Sequence, residues 1–391
     1  NGNLFSHILG QIDTDNNGVS GIEKSFDYEL TTSNKPLKLS LDTEIQYLIR
    51  EELLKFQEIF NSYGSTAILM NVNNGEIISM VSLPDFDLNK RENISDKKFI
   101  NRSTKGVYEL GSVFKTFTLA AGLQQNVIQE DTLFKNLPKK IKCAGRSISE
   151  YDVDIPSSLT AEEILIRSGN IGSIKIAQKV GLENFKDFLE NLDLLNKIQF
   201  DIEEVGNPIP FKWGKCKLAT SAYGHGITTT PLQLAKAYAI ISNGGYKINP
   251  TLIKKEKKLK RGEQIITQEN SNKINKILRK IVTSEQGTAN LANIAGYEIA
   301  GKTGTAQKSI KGKYSKKKIN TFASIFPISS PKYVLIVLLD EPKLSETYIY
   351  EYNDGKKRKI IGTPFNTAGW TSVEVAKNII EKIGPILAIK Y

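Results

Sequence analysis

Apolar residues recur near helical spacing from Ile45 to Ile59 in LKLSLDTEIQYLIREELLKFQEIF (37–60), which predicts a long amphipathic helix behind a short strand and a Ser/Asp/Thr cap. In STAILMNVNNGEIISMVSLPDF (65–86) two β-rich runs flank Asn73-Asn74-Gly75, the signature of a hairpin. The pattern turns helical from Gly111 through Leu123, and from Ala161 to Gly181 two helical pieces flank Arg167-Ser168-Gly169-Asn170. TPLQLAKAYAIISNGG (230–245) carries Pro in its first turn and Gly-Gly past its end, the punctuation of a helix, and SNKINKILRKIVTSEQ (271–286) predicts another. AGYEIAGKTGTAQ, TFASIFPI and KYVLIVLLDEP then read as three strands, and the segment 371–383 as a closing helix. Residues 1–35, rich in Asn, Asp, Gly and Thr, read as loop-rich. Strands at both ends and a helical middle predict an α/β fold, a sheet covered by helices on both faces, with an all-helical lobe inserted between Pro84 and Tyr297.

The chain has 391 residues, room for one large domain with an appendage. Its 40% apolar and 24% charged residues are globular values. No run approaches the roughly 18 apolar residues of a bilayer span. The sequence opens without Met, so a targeting or anchoring segment upstream stays open. Cys143 and Cys216 lack metal-ligand spacing and are too few for a disulfide scaffold. Two ordinary thiols are expected, with a bridge between them as the alternative. Only His7 and His225 could serve a Ser-His-Asp triad, and a histidine-rich metal site is not expected. The net charge of +11 gathers in lysine-rich patches at 253–262, 308–318 and 355–360. These read as solvated loops or as attractors for an anionic partner. Nucleic acid is the weakest candidate, because few aromatics interleave and no binding module accompanies them.

Three short motifs change the picture. YELGSVFKTF (108–117) places Ser112 and Lys115 three residues apart at a helix start, where i and i+3 share a face and an amine can reach a hydroxyl. To act as a base the amine must lose its charge, through desolvation by Val113, Phe114 and the run to Ala121, or through a second cation such as Lys302. Ser168-Gly169-Asn170 is ordinary turn chemistry when read alone. Lys302-Thr303-Gly304-Thr305 lies on a predicted strand. S-x-x-K, S-x-N and K-T-G in this order form the motif set of penicillin-binding proteins and serine β-lactamases.

The chain resembles the class B penicillin-binding proteins, monofunctional peptidoglycan D,D-transpeptidases, and most of all their septal, cell-division type. GIEKSFDYEL, YELGSVFK, YGHGITTTPLQLAKAYAIISNGG and AGKTGTAQ are similar to the family's blocks, over roughly residues 21 to 385. Gly169 stands where many relatives carry Ser or Asp, and TAGWTSVEVAKNII is a looser fit to the family's closing segment.

The resemblance implies a penicillin-binding-protein/serine β-lactamase-like transpeptidase fold, mainly antiparallel. Residues 1–35 would be the end of a pedestal or linker domain, and 36–391 a transpeptidase domain whose helical lobe spans roughly 85–296. It implies acyl transfer between stem peptides ending in D-Ala-D-Ala, with Ser112 as nucleophile and Lys115 as its base. Ser168 would relay a proton, Lys302 would polarise it, and Asn170 would bind the donor's amide together with Lys115. Thr303 and Thr305 would hold the substrate carboxylate, Gly304 would let the strand approach it, and the N–H groups of Ser112 and Thr305 would form the oxyanion hole. His225 is the alternative base.

No metal or organic cofactor is implied. The implied partners are peptidoglycan stem peptides, β-lactam antibiotics as covalent inhibitors and a glycosyltransferase of the division machinery. A membrane anchor upstream would hold the catalytic domain in the periplasm at a bacterial inner membrane. A D,D-carboxypeptidase, a β-lactamase and a penicillin-binding sensor without turnover share such a site. Against the β-lactamase, no Glu-x-x-Leu-Asn segment lies between the second and third motifs.

Overall fold

The computed structural model describes residues 2–90, 99–143, 145–255, 261–310, 312–352 and 358–390. Parts of the lysine-rich patches, residues 256–260 and 355–357 and Lys311, lie outside the described residues. Where composition predicts loops at the start, there are three short helices, α1 (Ser6–Leu9), α2 (Gly21–Ser25) and α3 (Asp27–Thr32). This first segment is docked on the body of the protein. Gln46 Nε2 donates to Leu4 O at 2.9 Å, Asn101 Nδ2 donates to His7 O at 3.1 Å, and Ile8 and Ile22 are buried.

Helix α4 (Thr43–Ile59) starts where Asp42 accepts the backbone N–H groups of Glu44 and Ile45, leaving fewer orphan donors in the first turn. It buries Ile45, Ile49, Leu53 and Phe56, one apolar stripe. Strands β1 (Gly64–Asn71) and β2 (Ile77–Leu83) form the predicted hairpin. Gly75 in its turn has φ +76°, and a Cβ there would lie 2.1 Å from Asn249 O, so both conformation and contact require glycine.

The middle of the chain carries a 3₁₀ turn at Gly111–Phe114, α5 (Lys115–Gln124), β3 (Leu133–Phe134), β4 (Lys140–Cys143), β5 (Arg146–Ser149), β6 (Leu159–Thr160), α6 (Ala161–Ile166), α7 (Asn170–Val180), α8 (Leu182–Asn191), α9 (Lys215–Ser221), α10 (Pro231–Ser242) and α11 (Gln268–Thr283). The helical lobe thus also holds two small antiparallel ladders, β3 with β6 and β4 with β5. These strands are two to four residues long, below what periodicity can register.

Cys143 at the end of β4 and Cys216 in α9 are joined in a disulfide, with Cα atoms 5.5 Å apart, so the expected pair of free thiols is corrected. Seventy-three positions separate them in sequence, and only the folded lobe brings them together. Helix α10 has a capping box between Thr230 and Gln233 and Pro at its start, and it ends before Gly244 and Gly245, at φ +93° and +86°. All its residues are buried, because it runs beneath the sheet.

Strands β7 (Ala300–Ile310), β8 (Lys313–Phe326) and β9 (Tyr333–Asp340) come next, then β10 (Ile349–Tyr352), β11 (Arg358–Ile361) and α12 (Ser372–Lys390). The main sheet has the order β2-β1-β9-β8-β7 and is antiparallel throughout. β9 is buried along its whole length, which explains its unbroken apolar sequence. Helices α4 and α12 pack together on one side of the sheet, and α10 and α11 together on the other. Helix α12 runs past the predicted end through Pro385. The carbonyl of Glu381, which a proline at 385 leaves without its helical N–H, instead accepts from the Tyr297 hydroxyl at 3.4 Å. Among the described residues no helix is long and apolar enough to cross a membrane.

Candidate active site

Gly111 opens the site with φ +63°, and a Cβ on it would lie 2.8 Å from Thr305 O. The 3₁₀ turn beginning there makes side chains at i and i+3 eclipse, which sets Ser112 and Lys115 on one face. Three backbones meet around this turn. A Cβ on Gly304 would lie 2.2 Å from Leu110 O, and one on Gly224 would lie 2.0 Å from Gly111 O. Gly304 is therefore required first by the approach of β7 to the serine turn, a reason its motif alone does not reveal. From below, the Tyr238 hydroxyl of α10 donates to Val113 O at 2.9 Å and pairs with Thr116 Oγ1 at 2.9 Å.

Ser112 is half-buried, and Lys115, one turn on, is only 2% exposed. The Lys115 amine donates to Ser168 O, to Ser168 Oγ at 3.2 Å and to Asn170 Oδ1 at 2.7 Å. Lys302, fully buried on β7, donates to Ser168 Oγ at 2.9 Å and to Thr303 O at 3.2 Å. The three motifs thus converge on one hydroxyl. The hydrogen bonds of Lys115 run to the second motif rather than to Ser112 Oγ, and catalytic contacts of this kind commonly tighten only with substrate bound. Ser168 holds a left-handed φ of +59°, uncommon for a residue with a side chain, and Gly169 N donates to Ile164 O at 2.8 Å to close the turn.

Burial pulls the Lys115 amine down to about 7, against the opposing field of the Glu150 carboxylate. Burial also holds Lys302 well below the usual lysine range, and the charge of Lys115 pushes it further. Desolvation, not the neighbouring cation, is thus the main reason Lys115 can be neutral. Two amines on one hydroxyl, both disfavoured as cations, form a network that can take up and pass on a proton.

On β7, Thr305 Oγ1 accepts from Ala368 N at 2.9 Å, a bond that does not use its own O–H. Thr303 is buried and shares a 2.6 Å hydrogen bond with Thr288 Oγ1, a partner no motif announced. A Cβ on Gly111 would also lie 3.4 Å from Thr305 N, so the serine turn and β7 run together here.

His225 sits on the rim. It stacks on Tyr223 and Tyr314, with centroids 5.8 and 4.6 Å away, and its Nδ1 lies 3.6 Å from Glu109 Oε2. Glu109 also accepts from Gly226 N and the Tyr314 hydroxyl, tying the serine loop, the Gly-flanked loop and the β7–β8 hairpin together. That hairpin is the lysine-rich stretch 308–318, which sequence reads as a loop and which forms strand almost to its tip. Several of its lysines are already paired. Lys308 meets Asp340 and Glu341, Lys317 meets Glu341, and Lys318 donates to Asn366 O at 2.7 Å.

Sequence reasoning missed Glu150, which takes the N–H groups of Asn170 and Ile171. No spacing rule connects it to the second motif, because its role arises from the β4–β5 hairpin folding over α7.

The family model for the penicillin binding protein transpeptidase domain matches residues 65–366. The probable peptidoglycan D,D-transpeptidase FtsI of Caulobacter vibrioides is 31% identical over 404 aligned positions, covering 100% of this chain and 66% of that protein. The peptidoglycan D,D-transpeptidase FtsI of Escherichia coli K12 is 29% identical, covering 89% of this chain and 63% of its own. This chain therefore spans about two thirds of the length of these curated relatives. Among solved structures, the TP domain of Burkholderia pseudomallei penicillin-binding protein 3 superposes with a TM-score of 0.76 at 25% identity, over 90% of this chain and 97% of that one. Penicillin binding protein 3 of Mycobacterium tuberculosis, complexed with aztreonam, shares the fold at a TM-score of 0.84 and 22% identity, over 99% of this chain and 90% of that one.

Proposed function

The chain belongs to the penicillin-binding protein transpeptidase family, within it to the class B proteins, and from that premise we propose that it is a peptidoglycan D,D-transpeptidase of septal wall synthesis. The observation that carries the reading is the placement of two buried amines, Lys115 and Lys302, 3.2 and 2.9 Å from the single hydroxyl of Ser168, beside the turn that presents Ser112.

Ser112 Oγ attacks the penultimate D-Ala carbonyl of a stem peptide while the neutral Lys115 amine takes its proton. The N–H groups of Ser112 and Thr305 stabilise the developing oxyanion, where one such donor is typically worth about 10²–10³ in rate. The proton passes from Lys115 through Ser168 Oγ to the departing D-Ala nitrogen, with Lys302 polarising the hydroxyl. An acyl-enzyme ester remains. An amine from a second stem attacks it, Lys115 accepts the amine's proton and returns it to the departing Ser112 Oγ, and serine and neutral lysine are regenerated with the crosslink formed. Asn170 binds the donor's amide, and Thr303 and Thr305 bind its terminal carboxylate. Resemblance to the relatives supports an anchor outside this chain at the inner membrane, a periplasmic catalytic domain and a division glycosyltransferase as partner. It equally supports residues 1–35 as the end of a pedestal domain preceding the transpeptidase domain of 36–391.

A β-lactam presents a strained amide in place of the D-Ala-D-Ala bond, and its leaving nitrogen stays tethered to the adduct, obstructing the acceptor. Penicillin should therefore add covalently to the intact protein mass, persist for many turnovers and fail to add to the Ser112→Ala variant. Turnover of a D-Ala-D-Ala donor with and without an acceptor amine separates transpeptidase from carboxypeptidase. Rapid penicillin hydrolysis without a persisting adduct would establish a β-lactamase. A persisting adduct without donor turnover would establish a sensor.

A further inference from the structure

We propose that Glu150, which lies outside all three motifs, is a positioning residue of the acylation site, holding Asn170 in place and setting a negative charge against Lys115. The proposal rests on the transpeptidase reading of the site. Glu150 sits just past β5 and reaches across to the start of α7. Its Oε2 accepts from Asn170 N at 2.6 Å and its Oε1 from Ile171 N at 2.8 Å. The Asn170 side chain is tied from the same hairpin, because its Nδ2 donates to Ser149 O at 2.8 Å. Asn170 Oδ1 is thereby turned toward Lys115, which it meets at 2.7 Å. The hairpin is held at its other end by the Cys143–Cys216 disulfide to α9, so Glu150 acts from a braced element.

A carboxylate at a helix N-terminus satisfies orphan N–H groups and opposes the positive end of the helix. Here the same charge also acts on the Lys115 amine. Glu150 acts on Lys115 through its field, Lys115 in turn acts on Lys302 of β7, and the polar atoms of Ser168 and Asn170 also meet the Lys115 amine. Lys139, whose carbonyl accepts from Glu150 N, sends its own amine away to Val153 O and Ile155 O. The field of Glu150 raises the affinity of Lys115 for a proton and so works against its burial. Both carboxylate oxygens are engaged by backbone N–H groups, which fits a positioning role better than that of a base for a hydrolytic water.

The test is the pH dependence of acylation by a fluorescent penicillin, with wild type, Glu150→Gln and Glu150→Asp all in the full chain. Gln removes the charge and one of the two acceptors, so the acidic limb of the rate profile should move to lower pH by about half a unit. The plateau should fall by about tenfold as Asn170 loosens. Asp keeps the charge, so its limb should stay at the wild-type pH while its plateau falls. Thermal melts of each variant establish that it is folded. An unmoved limb in Glu150→Gln with an unchanged plateau would overturn the proposal. So would unchanged acylation with a longer-lived adduct, which would make Glu150 a hydrolytic base. Labelling of Ser112→Ala would sink the transpeptidase reading itself and is scored separately.

Discussion

A lysine can serve as a base only where the fold makes its charge costly, and the fold does so at Lys115. With its pKa drawn down to about 7, the amine is mostly protonated below that pH and mostly neutral above it. Acylation by penicillin should therefore rise with pH through about 7 and level off beyond. Lys115→Arg keeps the positive charge and cannot give up its proton, so acylation should drop by about 10²-fold or more at every pH. Pre-steady-state labelling checks this, and substantial labelling of the Arg variant would return His225 to consideration. The same shift bears on stability. Between about pH 7 and 10.5 the unfolded chain holds the proton that the folded Lys115 has released, so stability falls as pH drops through that window and is level below it. That Ser112 and Lys115 share a face was legible in the sequence, since positions three apart on a helical turn line up. That Lys115 would bond Ser168 and Asn170 was not, because those bonds span the fold.

At the scale of elements, the lobe is joined by a covalent link that its sequence left open. The Cys143–Cys216 bridge ties the β4–β5 hairpin to α9 across 73 positions. A cross-link over a loop of that size restricts the unfolded chain and can contribute up to about 4 kcal/mol. Reduction, or Cys143→Ser, should lower the stability of the protein by about 2–4 kcal/mol, seen as a lower denaturant midpoint. An unchanged midpoint on adding reductant would show that the two sulfurs are not bridged in solution. Helices with local punctuation, α4 behind Asp42 and α10 between Thr230 and Gly244, were predicted to within a few residues. The β4–β5 and β3–β6 ladders were not, because strands this short are held by partners distant in sequence and have no periodicity of their own.

At the scale of the whole molecule, the first segment is held to the body by a histidine that burial keeps neutral. His7 shares a 2.8 Å hydrogen bond with Phe99 O, and burial lowers its pKa to about 4. Below its unfolded value of 6.5 the unfolded chain gains a proton that the fold resists, so stability present above 6.5 is lost as pH falls toward 4. Thermal melts should show a decline over that range that His7→Asn flattens. Equal slopes in both would place the acid sensitivity elsewhere. The architecture was legible in the sequence because alternation, helical spacing and caps are local, and a sheet of apolar strands must be covered on both faces. The spacing of Ser112 and Lys115 and the order of the three motifs were likewise legible, being short patterns with a chemical meaning. What only the tertiary structure decided was proximity: the backbone contacts at Gly111, Gly224 and Gly304, the partner of Thr303 in Thr288, and the reach of Glu150 to α7. Each joins segments far apart in the chain, and their meeting depends on how the sheet and lobe pack, which no window of neighbouring residues encodes.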